Sequence, residues 1–96
     1  MEVLVTYDVA TDAAAGRRRL RRVAKVCEGF GQRVQKSVFE CVVSEGELAL
    51  LVARLRGEVD PDHDSLRVYR LREPRAQYLL VIGQDVPYDI HETMIV

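Results

Sequence analysis

Gln32-Arg-Val-Gln-Lys36-Ser-Val-Phe-Glu-Cys-Val-Val43 runs directly into Ser44-Glu-Gly-Glu47-Leu48, and the change of period between the two decides the fold. In the first part Ser37, Phe39, Cys41 and Val43 alternate with Val38, Glu40 and Val42, the two-residue rhythm of a strand with one face in a core. The pattern leaves open whether residues 32–43 form one long strand or two short ones broken near Lys36. In the second part Ser44 and Glu47 have the spacing of a capping box. Leu48, Leu51, Val52 and Leu55 then recur at helical intervals, which predicts a helix ending at Gly57.

The same reading extends outward. Upstream, Glu2–Asp8 is an apolar run of strand formers. Thr11 or Asp12 is placed to cap a following helix, whose core stripe is Leu20, Val23, Ala24 and Cys27 and which Gly29 and Gly31 end. Downstream come a polar loop, Asp60-Pro-Asp-His-Asp64, an alternating strand over Ser65–Arg72, and Tyr78–Ile82, a wholly apolar run expected to be a further strand buried on both faces. The order β-α-β-(β)-α-β-β predicts an α+β fold, a ferredoxin-like βαββαβ sandwich with an additional C-terminal strand. Ninety-six residues, 48% of them hydrophobic, make one domain over residues 1–96. Residues 84–96 form a tail whose apolar end, Met94-Ile-Val96, is suited to docking on a partner.

The net charge of −1 hides a strong asymmetry. Residues 17–36 carry eight Lys and Arg against Glu28 alone, while acids outnumber bases on both sides. Local rather than total charge governs contact with nucleic acid. Cys27 and Cys41 fall on core-facing positions without metal-ligand spacing and read as buried thiols. No apolar run approaches the roughly 18 residues of a membrane span, and no basic leader precedes an apolar stretch, so a cytoplasmic protein without a membrane partner is expected.

Two features carry chemistry. The first is Asp8, an acid delivered to the end of a rigid strand. The second is Arg17-Arg18-Arg19-Leu20-Arg21-Arg22, with Lys25 one turn on. Arg18, Arg21, Arg22 and Lys25 form a stripe offset by about 200° from the apolar one. Arg17–Arg21, Arg18–Arg22 and Arg21–Lys25 are like-charge pairs, each costing about 0.2–0.5 kcal/mol in a helix, and cations near its start oppose the macrodipole. Phosphates are the natural compensation. Arg33 and Lys36 extend the cationic surface. One carboxylate is a poor Mg²⁺ site by itself; Asp12, or the second Asp8 of a two-fold dimer, would supply another. His63 sits in an acidic loop that reads as a solvated turn, and His91 has no recognisable partner. Motifs of classical nucleophilic hydrolases and P-loops are absent.

Tyr7-Asp8-Val9, the Arg-rich helix, Gly31-Gln-Arg33-Val-Gln35-Lys-Ser37-Val-Phe39-Glu-Cys41 and Asp64-Ser65-Leu-Arg67-Val-Tyr69-Arg-Leu71 together resemble, in order and spacing over residues 1–83, the Cas2 family of CRISPR-associated proteins. Where most members have an aromatic, this chain has Lys36. The resemblance implies a ferredoxin-like homodimer that acts with the Cas1 integrase in spacer acquisition and binds double-stranded DNA, with RNA as another substrate. It also implies an endonuclease dependent on Mg²⁺ or Mn²⁺, with Asp8 as catalytic residue and metal ligand at the dimer interface. By position, Tyr7 belongs to the strand-end motif, Arg19, Arg21 or Arg22 to the helix basic positions, Arg33 to the strand arginine, and Ser37 and Phe39 to the Ser-Val-Phe motif. Two alternatives stand beside it: a non-catalytic DNA-binding scaffold, and a ferredoxin-like toxin-type ribonuclease outside CRISPR.

Overall fold

The computed structural model describes residues 1–72 and 74–84. The elements are β1 (Glu2–Asp8), α1 (Ala14–Glu28), β2 (Gly31–Gln35), β3 (Val38–Val42), α2 (Glu45–Glu58), β4 (Ser65–Leu71) and a single helical turn, α3 (Arg75–Tyr78). One antiparallel sheet has the order β2-β3-β1-β4. Both β1-α1-β2 and β3-α2-β4 therefore return to a parallel strand with another strand between, which is the ferredoxin-like arrangement. The extended segment is two strands: Gln35 pairs with Val38 across Lys36-Ser37, and a register shift between Arg33 and Gln35 marks a bulge.

Strand parity decides which side chains meet the helices. Val3, Val5 and Tyr7 of β1 and Phe39 and Cys41 of β3 point to the helical side. There they join Val23, Ala24 and Cys27 of α1 and Leu48, Leu51 and Leu55 of α2 in one buried core. Phe39 and Leu51 are fully buried. Truncating a residue such as Phe39 to Ala in such a core costs about 3–5 kcal/mol. The capping box of α2 forms as its spacing predicts: Ser44 Oγ accepts from the Glu47 amide, and a Glu47 carboxylate oxygen accepts from the Ser44 amide.

The opposite sheet face carries Glu2, Leu4, Thr6 and Asp8, and no helix of the described core packs on it. Val42 on this face is 76% exposed. A segment from Pro74 to Gln84 lies along one part of it, tied down by an ion pair of 3.1 Å between Arg75 Nε and Glu40 Oε1.

Two expectations need correction. Tyr78–Ile82 is neither a strand nor buried: Tyr78 closes α3, and Leu80 and Ile82 are 84% and 91% exposed. Pro74, with φ of −61°, starts a helical turn in which the Gln77 and Leu79 amides donate to the Pro74 and Arg75 carbonyls, so the segment bends away from strand pairing. An apolar run looks the same in sequence whether it fills its own core or waits for a surface. Neither Thr11 nor Asp12 caps α1; Ala13 holds the cap position without a side-chain bond. The tail from Asp85 onward, including His91 and Met94-Ile-Val96, lies outside the described residues, as does any strand within it.

Candidate nucleic-acid and metal site

Asp8 ends β1 opposite Ser65 of β4 and is exposed. Parity puts it on the open sheet face, one residue after the core residue Tyr7. Among the described residues its side chain makes no hydrogen bond or ion pair. It borders a cleft of about 330 Å³ at the sheet end, also lined by Tyr7, Arg21, Arg33, Lys36 and Ser37. The fold thus gathers residues from β1, α1, β2 and the β2–β3 turn around the strand-end acid. The turn is held there because the Tyr7 amide donates to the Ser37 carbonyl at 3.1 Å.

Arg33 is positioned by packing. Its register partner is Phe39, so it points to the helical side; its guanidinium lies 5.1 Å from the Phe39 ring centre and 3.6 Å from a Glu28 carboxylate oxygen. The Tyr7 ring stacks on Phe39 at 6.3 Å. Tyr7 Oη and Arg33 Nε are both buried without a hydrogen-bond partner. Burial pushes the Tyr7 hydroxyl up to about 12, against the lowering pull of Arg33, so it stays protonated at neutral pH. Phe39 itself is core and supports the cleft from beneath.

Arg18, Arg21, Arg22 and Lys25 are exposed along one flank of α1 and line a shallow adjoining groove with Val26 and Glu58. Arg21 borders both concavities and joins them. The tertiary structure compensates part of the cationic run in a way the helix alone does not show. Arg22 Nε meets Glu58 at 2.8 Å, and Arg17 Nη1 donates to the Thr11 carbonyl at 3.2 Å. Arg19 leaves the exposed flank altogether and makes two bonds, of 2.9 and 3.2 Å, to Asp64. As a phosphate ligand Arg19 is thereby already occupied. Arg18, Arg21, Lys25 and Lys36 have no ion pair among the described residues.

Asp64 is the residue that sequence reasoning missed. It appears there as one acid of a polar loop and at the head of a stretch shared with the family, without a role, yet its side chain is 0% exposed and accepts four N–H bonds, from Arg19 Nε and Nη2 and from the Ala10 and Asp60 amides. Its chief partner lies 45 residues away, beyond the reach of local pattern. The Arg19 bonds above all, aided by the Asp60 and Ala10 amides against burial, hold the Asp64 carboxyl down at about 2. His63 only bonds Asp60 in the same loop, at 2.9 Å.

No group of three His, Cys, Asp or Glu side chains among the described residues is arranged to hold a metal. Asp8 offers a hard oxygen donor of the kind Mg²⁺ or Mn²⁺ takes, in an open position, and its cleft is lined by no second carboxylate among the described residues. Asp12 is exposed and borders the cleft no more closely than through its neighbour Thr11. No described helix is long and apolar enough to cross a membrane.

A ferredoxin-like sheet with an acid at the end of its first strand and cations along its first helix defines a narrow class of small protein, and comparison places the chain within it. The family described as CRISPR associated protein Cas2 matches residues 1–78, and the chain belongs to that family. It is 50% identical over 95 residues to a protein of Moorella thermoacetica named CRISPR-associated endoribonuclease Cas2 1, covering 99% of both chains. It is 44% identical over 95 residues to a Halalkalibacterium halodurans protein named CRISPR-associated endonuclease Cas2, again with 99% of both chains covered. The crystal structure of Streptococcus pyogenes Cas2 superposes with a TM-score of 0.77 at 48% identity, covering 86% of this chain and all of that one.

Proposed function

We propose that this protein is a CRISPR-associated endonuclease that binds duplex nucleic acid, with Asp8 as the metal-holding catalytic residue of a site shared between two chains. The observation that carries this reading is the cleft itself: an exposed, unpartnered carboxylate at a strand end, bordered by Arg21, Arg33 and Lys36 and continuous with the groove of Arg18 and Lys25. The names of the relatives, endoribonuclease and endonuclease, support a phosphodiester substrate. The cations position the backbone of the nucleic acid, each neutralised phosphate adding salt-dependent affinity without base preference. Tyr7 and Arg33 line the same cleft, with Tyr7 Oη and Arg33 Nε buried beneath its surface. Mg²⁺ or Mn²⁺ held by Asp8 would supply Lewis-acid stabilisation of charge at the scissile phosphate.

The open sheet face supports a homodimer. It bears Asp8 together with exposed apolar residues, and a two-fold axis through an isologous interface brings like residues together. Leu80 and Ile82, exposed beside it, are apolar surface suited to the same interface. In this reading the dimer works with the Cas1 integrase in spacer acquisition, and the tail beyond Gln84 docks on the partner chain or on the integrase. A non-catalytic scaffold is the second reading, favoured by the extent of the cationic groove beyond Asp8.

The test is metal-dependent cleavage of RNA and double-stranded DNA by purified wild type and Asp8→Asn in parallel, with duplex affinity measured for both. Loss of cleavage with retained binding is expected for Asp8→Asn. Cleavage by both proteins withdraws the catalytic role, and cleavage by neither leaves the scaffold. In either protein, Arg18→Ala with Lys25→Ala should weaken duplex binding and flatten its salt slope by roughly one for each phosphate no longer neutralised.

A further inference from the structure

The Arg19–Asp64 pair holds backbone on both sides of the Asp8–Ser65 strand pair. Asp64 accepts the amide of Ala10, two residues past Asp8, at 3.1 Å; the next residue after it, Ser65, is the strand partner of Asp8. The same carboxylate takes the Asp60 amide at 2.9 Å and both Arg19 bonds, so one buried group ties the exit of β1 to α1 and to the α2–β4 loop. The carbonyl of Ala10 packs closely against Gly16. A Cβ there would collide with that oxygen, so the loop rests directly on the backbone of α1. Ala10 is bonded at its N–H by Asp64, and its carbonyl lies where only a glycine leaves room for it. The start of α1 itself has no side-chain cap.

We infer that Arg19 and Asp64 are positioning residues for the Asp8 site: they fix the path of residues 9–12 and thereby the distance of the Asp8 carboxylate from the cations of α1. The inference rests on the reading of Asp8 as a metal ligand. It assigns Arg19, which sequence placed among the phosphate-binding residues, to the opposite task of orienting the acid.

The test uses the full chain and Mn²⁺ alone as probe, reading paramagnetic broadening of the Asp8 and Val9 amide signals. Wild type, Asp8→Asn, Arg19→Ala, Arg19→Lys and Asp64→Asn are compared well below their thermal midpoints, at matched oligomeric state, with duplex affinity measured alongside. Expected is saturable broadening in wild type, its loss in Asp8→Asn, and at least tenfold weaker Mn²⁺ affinity in Arg19→Ala and Asp64→Asn with duplex affinity within twofold. Arg19→Lys, which keeps the charge but not the fork, should fall between; it decides the matter if Asp64→Asn does not fold. Wild-type Mn²⁺ affinity in the folded clamp variants overturns the inference while leaving Asp8 in place. A fall in duplex affinity alone makes Arg19 a phosphate ligand and overturns it too. Broadening unchanged in Asp8→Asn, or absent from wild type, removes the reading of Asp8 itself and the inference with it.

Discussion

Replacing Asp64 by Asn removes one negative charge from a group with no solvent exposure and four N–H donors aimed at it. The Asn amide must also turn an NH₂ toward one of those donors. The carboxyl is held at about 2 in the folded protein, against an ordinary value of 3.8. At about 1.4 kcal/mol per tenfold change in proton affinity, the ionised form contributes about 2 kcal/mol to stability at neutral pH. For a domain of this size that lowers the thermal midpoint by about 8–16 °C. Because the folded value is depressed, this contribution is complete well above the unfolded value, which lies near 4, and disappears as pH falls toward 2. Urea unfolding of wild type and Asp64→Asn at a series of pH values reads the effect directly. Asp60, also lowered chiefly by its bonds to the Asp62 amide and His63, titrates in both proteins. The stability gap should be constant above about pH 5 and close between about pH 4 and 2. A gap that is absent at neutral pH, or that persists unchanged at about pH 2, refutes the idea that ionisation of Asp64 holds the loops together.

Gly16→Ala should destabilise by more than the roughly 1 kcal/mol that helix propensity would return, because the added methyl displaces the Ala10 carbonyl. Thermal unfolding and the Ala10 amide shift would report both effects, and a stabilised Gly16→Ala would contradict the close approach. Cys27 is fully buried, with its thiol pushed up to about 12 chiefly by burial, so alkylation by iodoacetamide at about pH 8 should be at least roughly a hundredfold slower than for the urea-unfolded chain. Equal rates would place the thiol at the surface. For the homodimer proposed above, Leu80→Glu combined with Ile82→Glu should raise the monomer fraction in sedimentation velocity without lowering helical content; unchanged association would place these side chains outside the proposed interface.

Local chemistry determined much of this protein. The capping box at Ser44, the two apolar helix stripes, the alternation through Phe39 and Cys41 and the element order as far as β4 are all short-range patterns, because 3.6-residue and 2-residue periods and side-chain capping act within a few residues of themselves. The strand-end position of Asp8 and the exposed flank of Arg18, Arg21, Arg22 and Lys25 were legible for the same reason. What tertiary structure decided is pairing at a distance. It drew Arg19 of the cationic run onto Asp64, brought Arg33 and Lys36 to the cleft of Asp8 through a hairpin, left α1 without a side-chain cap, and left Leu80 and Ile82 exposed. Charge and hydropathy report what a side chain can do, but its partner is chosen by which backbones the sheet brings together, and that choice is made across tens of residues.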